Sequence, residues 1–194
     1  MRALRLPKTT LLVACLMAAG CIAPETDQAQ PSAWVKTHRL AGGDIIVRAP
    51  KDYCVARSAK PTSDFVLLAR CDALTAQGNV SPRSSGVLTV STSAPMRNSE
   101  TSLDLAAALG DDSVASKKVP DLTLRKMNAR PGGPLPGAAA EHWRGLLRFQ
   151  NRVISFAAYG PEGSTVLGQS GLRLLESLAL ETVKASEATN QAAN

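Results

Sequence analysis

Two histidines, four cysteines and a handful of serines and acids could do chemistry in this chain, and their spacing gives them few ways to do it together. A general base or metal ligand needs a carboxylate or second ligand within reach, yet His38 and His142 stand far apart. Glu141-His142-Trp143 offers adjacency, but strand neighbours point to opposite faces, so His142 is expected to be a partly exposed strand residue beside a packed Trp143. Gly168-Gln169-Ser170-Gly171 approaches the nucleophile pattern G-x-S-x-G without its second spacer; Ser170 reads better as a helix cap. Asp111-Asp112 lacks the ladder of oxygen ligands that a calcium loop requires. No cofactor or metal motif is evident, and a hydrolase would have to assemble its site from scattered residues such as His142, Asp104 or Ser170.

Cys54 and Cys71 are seventeen positions apart, and Cys15 and Cys21 lie in the first 21 residues. In an oxidising compartment the first pair is expected to form a structural disulfide. Closing a loop of that size restricts the unfolded chain by about 3 kcal/mol in the entropy model. The alternatives, a redox or metal-binding pair, lack the close C-x-x-C spacing and a neighbouring histidine.

The amino terminus supplies the compartment. Arg2, Arg5 and Lys8 precede an apolar run from Leu11 to Ala19 that closes on small residues, the three-part pattern of a secretory signal peptide. That run is shorter than the roughly 20 residues needed to span a hydrocarbon core. Its end, Ala18-Ala19-Gly20-Cys21, resembles the lipobox of bacterial lipoproteins, with Ala18 where that family most often has Leu. The resemblance implies that Cys21 receives diacylglycerol on its thiol and becomes the new amino terminus. Further acylation of that residue would satisfy the need for at least two membrane signals. Ile22 after Cys21, where proteins retained at the inner membrane often have Asp, implies the outer membrane, facing the periplasm. The alternative is an ordinary signal peptide cut beyond Cys21, for instance after Ala23, and a soluble periplasmic protein.

The three leader cations account for half of the formal net charge of +6, leaving +3 for a processed chain. That mild, scattered basicity and an aromatic content of 4% argue against nucleic acid as a partner. The organisation expected is a signal peptide at 1–20, lipidated Cys21 with a Pro-containing spacer at 21–33, one domain at 34–184 and a disordered polar tail at 185–194.

Within the domain, runs around 44–48, 65–71 and 86–92 read as strands. Thr101 to Gly110 reads as a helix with Thr101 as cap and Gly110 as stop. Residues 122–127 alternate as a strand, and 141–149 with 152–159 read as a hairpin across Gln150-Asn151. A final helix is expected from Ser164 or Ser170 to Lys184, with Leu172, Leu175 and Ala179 on its apolar face. This order predicts an α+β fold, an antiparallel sheet packed against helices in a single-domain sandwich.

Leu135-Pro136-Gly137-Ala138-Ala139-Ala140 leading into a strand, the strand at Arg152-Val153-Ile154-Ser155-Phe156 and the closing helix resemble the PsbP-like fold that includes the DcrB lipoproteins. The resemblance implies a non-enzymatic envelope or assembly protein and transfers no residue roles. The expected function is a lipid-anchored binding or assembly module that meets the membrane through its anchor and contacts an envelope protein; a periplasmic hydrolase or small-ligand carrier is the alternative. The Pro-rich loop, with Pro131, Pro134 and Pro136, and Trp143 beyond it form the expected partner surface, because a stiff extended loop loses little entropy on binding.

Overall fold

The computed structural model describes residues 35–56, 63–75, 81–96, 104–128 and 135–192. Nine strands and two α-helices occur among them: β1 (Thr37–Leu40), β2 (Ile45–Arg48), β3 (Tyr53–Val55), β4 (Phe65–Arg70), β5 (Val87–Thr92), α1 (Leu105–Leu109), β6 (Val114–Ala115), β7 (Leu122–Asn128), β8 (Glu141–Phe149), β9 (Arg152–Tyr159) and α2 (Gln169–Ala192). β1 and β2 form a hairpin, and the other strands form one antiparallel sheet in the order β3-β4-β5-β9-β8-β7-β6. The fold is α+β, an antiparallel sheet packed against the carboxy-terminal helix.

Alternation explains the packing. On β8, Trp143, Gly145 and Leu147 share one face, and their partners on β9 are Ala158, Phe156 and Ile154. These residues, apart from Gly145, join Leu88 and Val90 of β5 and Leu122 and Leu124 of β7 in one buried core. Leu40, Ile45 and Val47 enter that core from the hairpin, and Leu175, Leu178 and Ala179 from α2. The helical residues recur at i, i+3 and i+4, which concentrates them on one stripe.

Tight turns set the registers. Phe149 pairs with Arg152 across Gln150-Asn151, and Gln150 adopts a left-handed φ of 56°. Between β2 and β3 Pro50 turns the chain, with the Tyr53 N–H donating to its carbonyl at 3.1 Å, and Cys54 lies inside β3.

Two helix expectations need correction. Thr101 lies outside the described residues, and the helix among them starts at Leu105, where the Asp104 carboxylate accepts from the N–H groups of Ala106 and Ala107. Gly110 ends it at φ 98°. The expected tail from 185 is helical through Ala192, with Ala185 and Ser186 buried. Its composition is polar, but small residues on the packed stripe let the helix lie close to β2. The Ser186 hydroxyl is satisfied there, donating to the Thr182 carbonyl at 2.8 Å and accepting from the Ile46 N–H at 2.9 Å.

Candidate functional site

Cys54 and Cys71 are joined as a disulfide with Cα atoms 5.0 Å apart. The sheet brings them together: Cys54 pairs with Ala69 between β3 and β4, and Cys71 follows the end of β4. Cys54 is fully buried, whereas Cys71 is half-buried in the following turn. Its N–H donates to the Asp52 carbonyl at 2.9 Å. The Lys36 ammonium reaches this corner, donating to the Tyr53 carbonyl at 2.5 Å and to Cys71 Sγ at 3.3 Å. Beside it, Arg70 is held by Asp72 at 2.8 Å. That hydrogen bond holds the Asp72 carboxyl below the usual carboxylate range.

The expected partner surface divides. Cys21, Pro131 and Pro134 lie outside the described residues. Pro136 is exposed and lines a mostly apolar hollow of about 140 Å³ with Val87, Leu135, Tyr159 and Pro161. Trp143 is not part of that surface. It is 8% exposed and faces the core, and its indole N–H is shared between the carbonyls of Leu167 at 3.2 Å and Gly168 at 2.9 Å. An indole buried with its N–H satisfied is a packing residue.

His142 does point to the face opposite Trp143, but it is buried rather than partly exposed, at 6%. Its ring stacks on Tyr159, with centroids 4.9 Å apart, because register puts β8 beside β9. Nδ1 lies 3.2 Å from the Ala140 carbonyl, so that nitrogen carries the hydrogen. Sequence reading missed this pair because their contact follows from hairpin register across seventeen residues. Lys36 at Cys71 was missed for the same reason, since neither residue type nor spacing announces it.

The remaining candidates have local partners. His38 sits on β1 opposite Val47. Ser170 is inside α2 rather than capping it, and its hydroxyl accepts from Arg173 at 3.4 Å; the capping serine is Ser164, which accepts from the Val166 N–H at the 3-10 turn Thr165–Leu167. Asp112 pairs with Arg125, which also donates to the Leu109 carbonyl. Among the described residues no three His, Cys, Asp or Glu side chains are placed to hold a metal ion.

The chain's two tyrosines both report burial. Burial pushes the Tyr159 hydroxyl above the ordinary value of 10.0, against the pull of Arg144 and the hydrogen bond to Thr89. It does the same to Tyr53, where Arg70 opposes and Asp72 and Asp52 assist. The folded chain therefore keeps phenol protons that the unfolded chain loses, so these groups lower stability as pH rises above about 10. Absorbance at 295 nm is expected to show both phenolates appearing at higher pH in the native protein than in guanidinium.

No protein-family model matches the chain, and no curated protein matches it. A solved structure, the Ran-binding protein Mog1p of Saccharomyces cerevisiae, is similar at a TM-score of 0.45 and 12% identity, over 76% of this chain and 95% of Mog1p. A likeness at that level says nothing of what this chain binds.

Proposed function

We propose that this chain is a lipid-anchored, periplasm-facing bacterial envelope lipoprotein whose domain is a binding or assembly module rather than a catalyst. The Cys21 thiol would carry the diacylglycerol, and residues 22–33 would separate anchor from domain. The observation that carries this reading is the close of the leader on Ala18-Ala19-Gly20-Cys21, a lipid acceptor at the end of an export signal. The Cys54–Cys71 disulfide supports it, because such bonds persist in oxidising compartments. The PsbP-like and DcrB resemblance supports the non-catalytic role, with an envelope protein as partner.

Intact mass without reducing agent, for protein recovered from membranes, tests the reading against a Cys21→Ala variant. The expected species starts at Cys21, carries added acyl mass and lacks two hydrogens for the disulfide; Cys21→Ala is expected to lose the acyl mass and leave the membrane fraction. An unmodified chain starting beyond Cys21 would overturn the anchor and favour a diffusible periplasmic enzyme or carrier.

A further inference from the structure

The two sulfurs of the disulfide are not equivalent. Cys54 is 0% exposed and held within β3, while Cys71 lies half-buried just beyond β4. A nucleophile or oxidant from solution therefore meets Cys71 Sγ. The nearest cation also belongs to Cys71: Lys36 Nζ is 3.3 Å from its sulfur and makes no ion pair among the described residues. Arg70 is occupied by Asp72, which leaves Asp52 as the opposing charge at this corner. Asp52 and the Tyr53 hydroxyl are further titratable groups among the described residues here, both acting on Arg70. An adjacent ammonium favours the thiolate, the reactive form of cysteine.

We propose that Cys71 is the exchange sulfur of this protein, the site at which a thiol–disulfide oxidoreductase carrying a two-cysteine disulfide engages the folded chain, with Cys54 as the resolving cysteine. In the first step the Cys71 thiolate attacks one sulfur of the oxidoreductase disulfide. A mixed disulfide forms, and the enzyme's other sulfur leaves as a thiolate. In the second, Cys54 gives its proton to the thiolate released in the first step and attacks Cys71 Sγ, forming the Cys54–Cys71 bond and releasing the enzyme's remaining thiolate, which takes a proton from water. Two electrons pass from the cysteine pair to the oxidoreductase, which ends as a dithiol. The reverse direction is slow, since attack on Cys71 must expel Cys54 as a thiolate in a position closed to water.

Glutathione disulfide is the probe, used on full-length folded Cys54→Ser and Cys71→Ser variants. Cys71 in the first is expected to be glutathionylated roughly tenfold or more faster than Cys54 in the second, with the difference vanishing in guanidinium. Adding Lys36→Gln to the first variant is expected to slow the reaction at neutral pH and leave the rate at alkaline pH, where the thiolate forms anyway, nearly unchanged. Equal native rates, faster reaction at Cys54, or no effect of Lys36→Gln at neutral pH would overturn the proposal. Should a serine variant lose its native circular dichroism, oxidised wild type in excess reduced glutathione decides: mixed disulfide on the peptide containing Cys71 upholds the assignment, and on that containing Cys54 overturns it.

Discussion

Alanine at Gly171 is expected to lower stability by about 3 kcal/mol or more, although it adds a single methyl group. That methyl would lie 1.8 Å from the Val166 carbonyl oxygen and 2.8 Å from Trp143 Cδ1. Neither neighbour can give way cheaply. The Val166 oxygen belongs to backbone of the 3-10 turn Thr165–Leu167, and the next two carbonyls, of Leu167 and Gly168, hold the buried indole N–H. Separating α2 from that turn would open space around Trp143 and loosen its bonds together. Gly168 provides the contrast three residues earlier. Its added methyl would come no closer than 3.6 Å to the Thr165 carbonyl, and its φ of −93° suits any residue. Gly168→Ala is expected to change stability by less than about 1 kcal/mol. In a domain of this size the two should separate by roughly 5–10 °C in Tm, with near-ultraviolet dichroism of Trp143 altered only in Gly171→Ala. Similar Tm values would mean that the helix start accommodates the methyl, against the close packing described.

That junction also marks where sequence reasoning stops. In the sequence Gly168 and Gly171 stand as flanks of a serine, because spacing carries no sign of the approach of a turn to a helix. Strands with clean alternation were legible. Val87–Thr92 and the Glu141–Phe149 and Arg152–Tyr159 pair lie close to where residue types put them, since a half-buried strand must alternate and a two-residue link allows one register. Strands without an apolar pattern were not. β1 places Thr37, His38 and Arg39 before its buried Leu40, and β6 is two exposed residues, so both owe their existence to the strands they pair with. The site followed the same rule. The cysteine pairing could be argued from count and compartment, whereas the burial of Cys54 and the contact of Lys36 with Cys71 depend on which strand lies beside which. Trp143 illustrates the opposite error: an aromatic after a Pro-rich loop suggests a surface anchor, but Trp143 lies with Leu147 on the side of β8 that faces the core.

Ending the chain after Lys184 is expected to cost roughly 2–4 kcal/mol, where a frayed tail would have made the deletion silent. The removed turns contain Ala185, at 7% exposure, and Ser186, fully buried. Their loss would uncover Ile46 and leave the outer edge of β2 without its helical cover. The point substitution Ser186→Ala isolates the polar part. Alanine is the better helix former by a few tenths of a kcal/mol, yet it leaves the Ile46 N–H buried with no acceptor, which costs about 1–3 kcal/mol. The second effect is larger, so Ser186→Ala should destabilise despite the gain in helix propensity. Water can reach Ile46 in the truncated chain but not in the point variant, so the two losses have different origins. Urea unfolding separates them. Ser186→Ala should shift the midpoint with an unchanged m-value, whereas the truncated chain, with less surface to expose, should show a reduced m-value as well. An unchanged midpoint for both would mean that α2 does not cap β2 in solution. A loss confined to the truncation would mean that apolar cover, and not the serine hydroxyl, is what β2 requires from the helix.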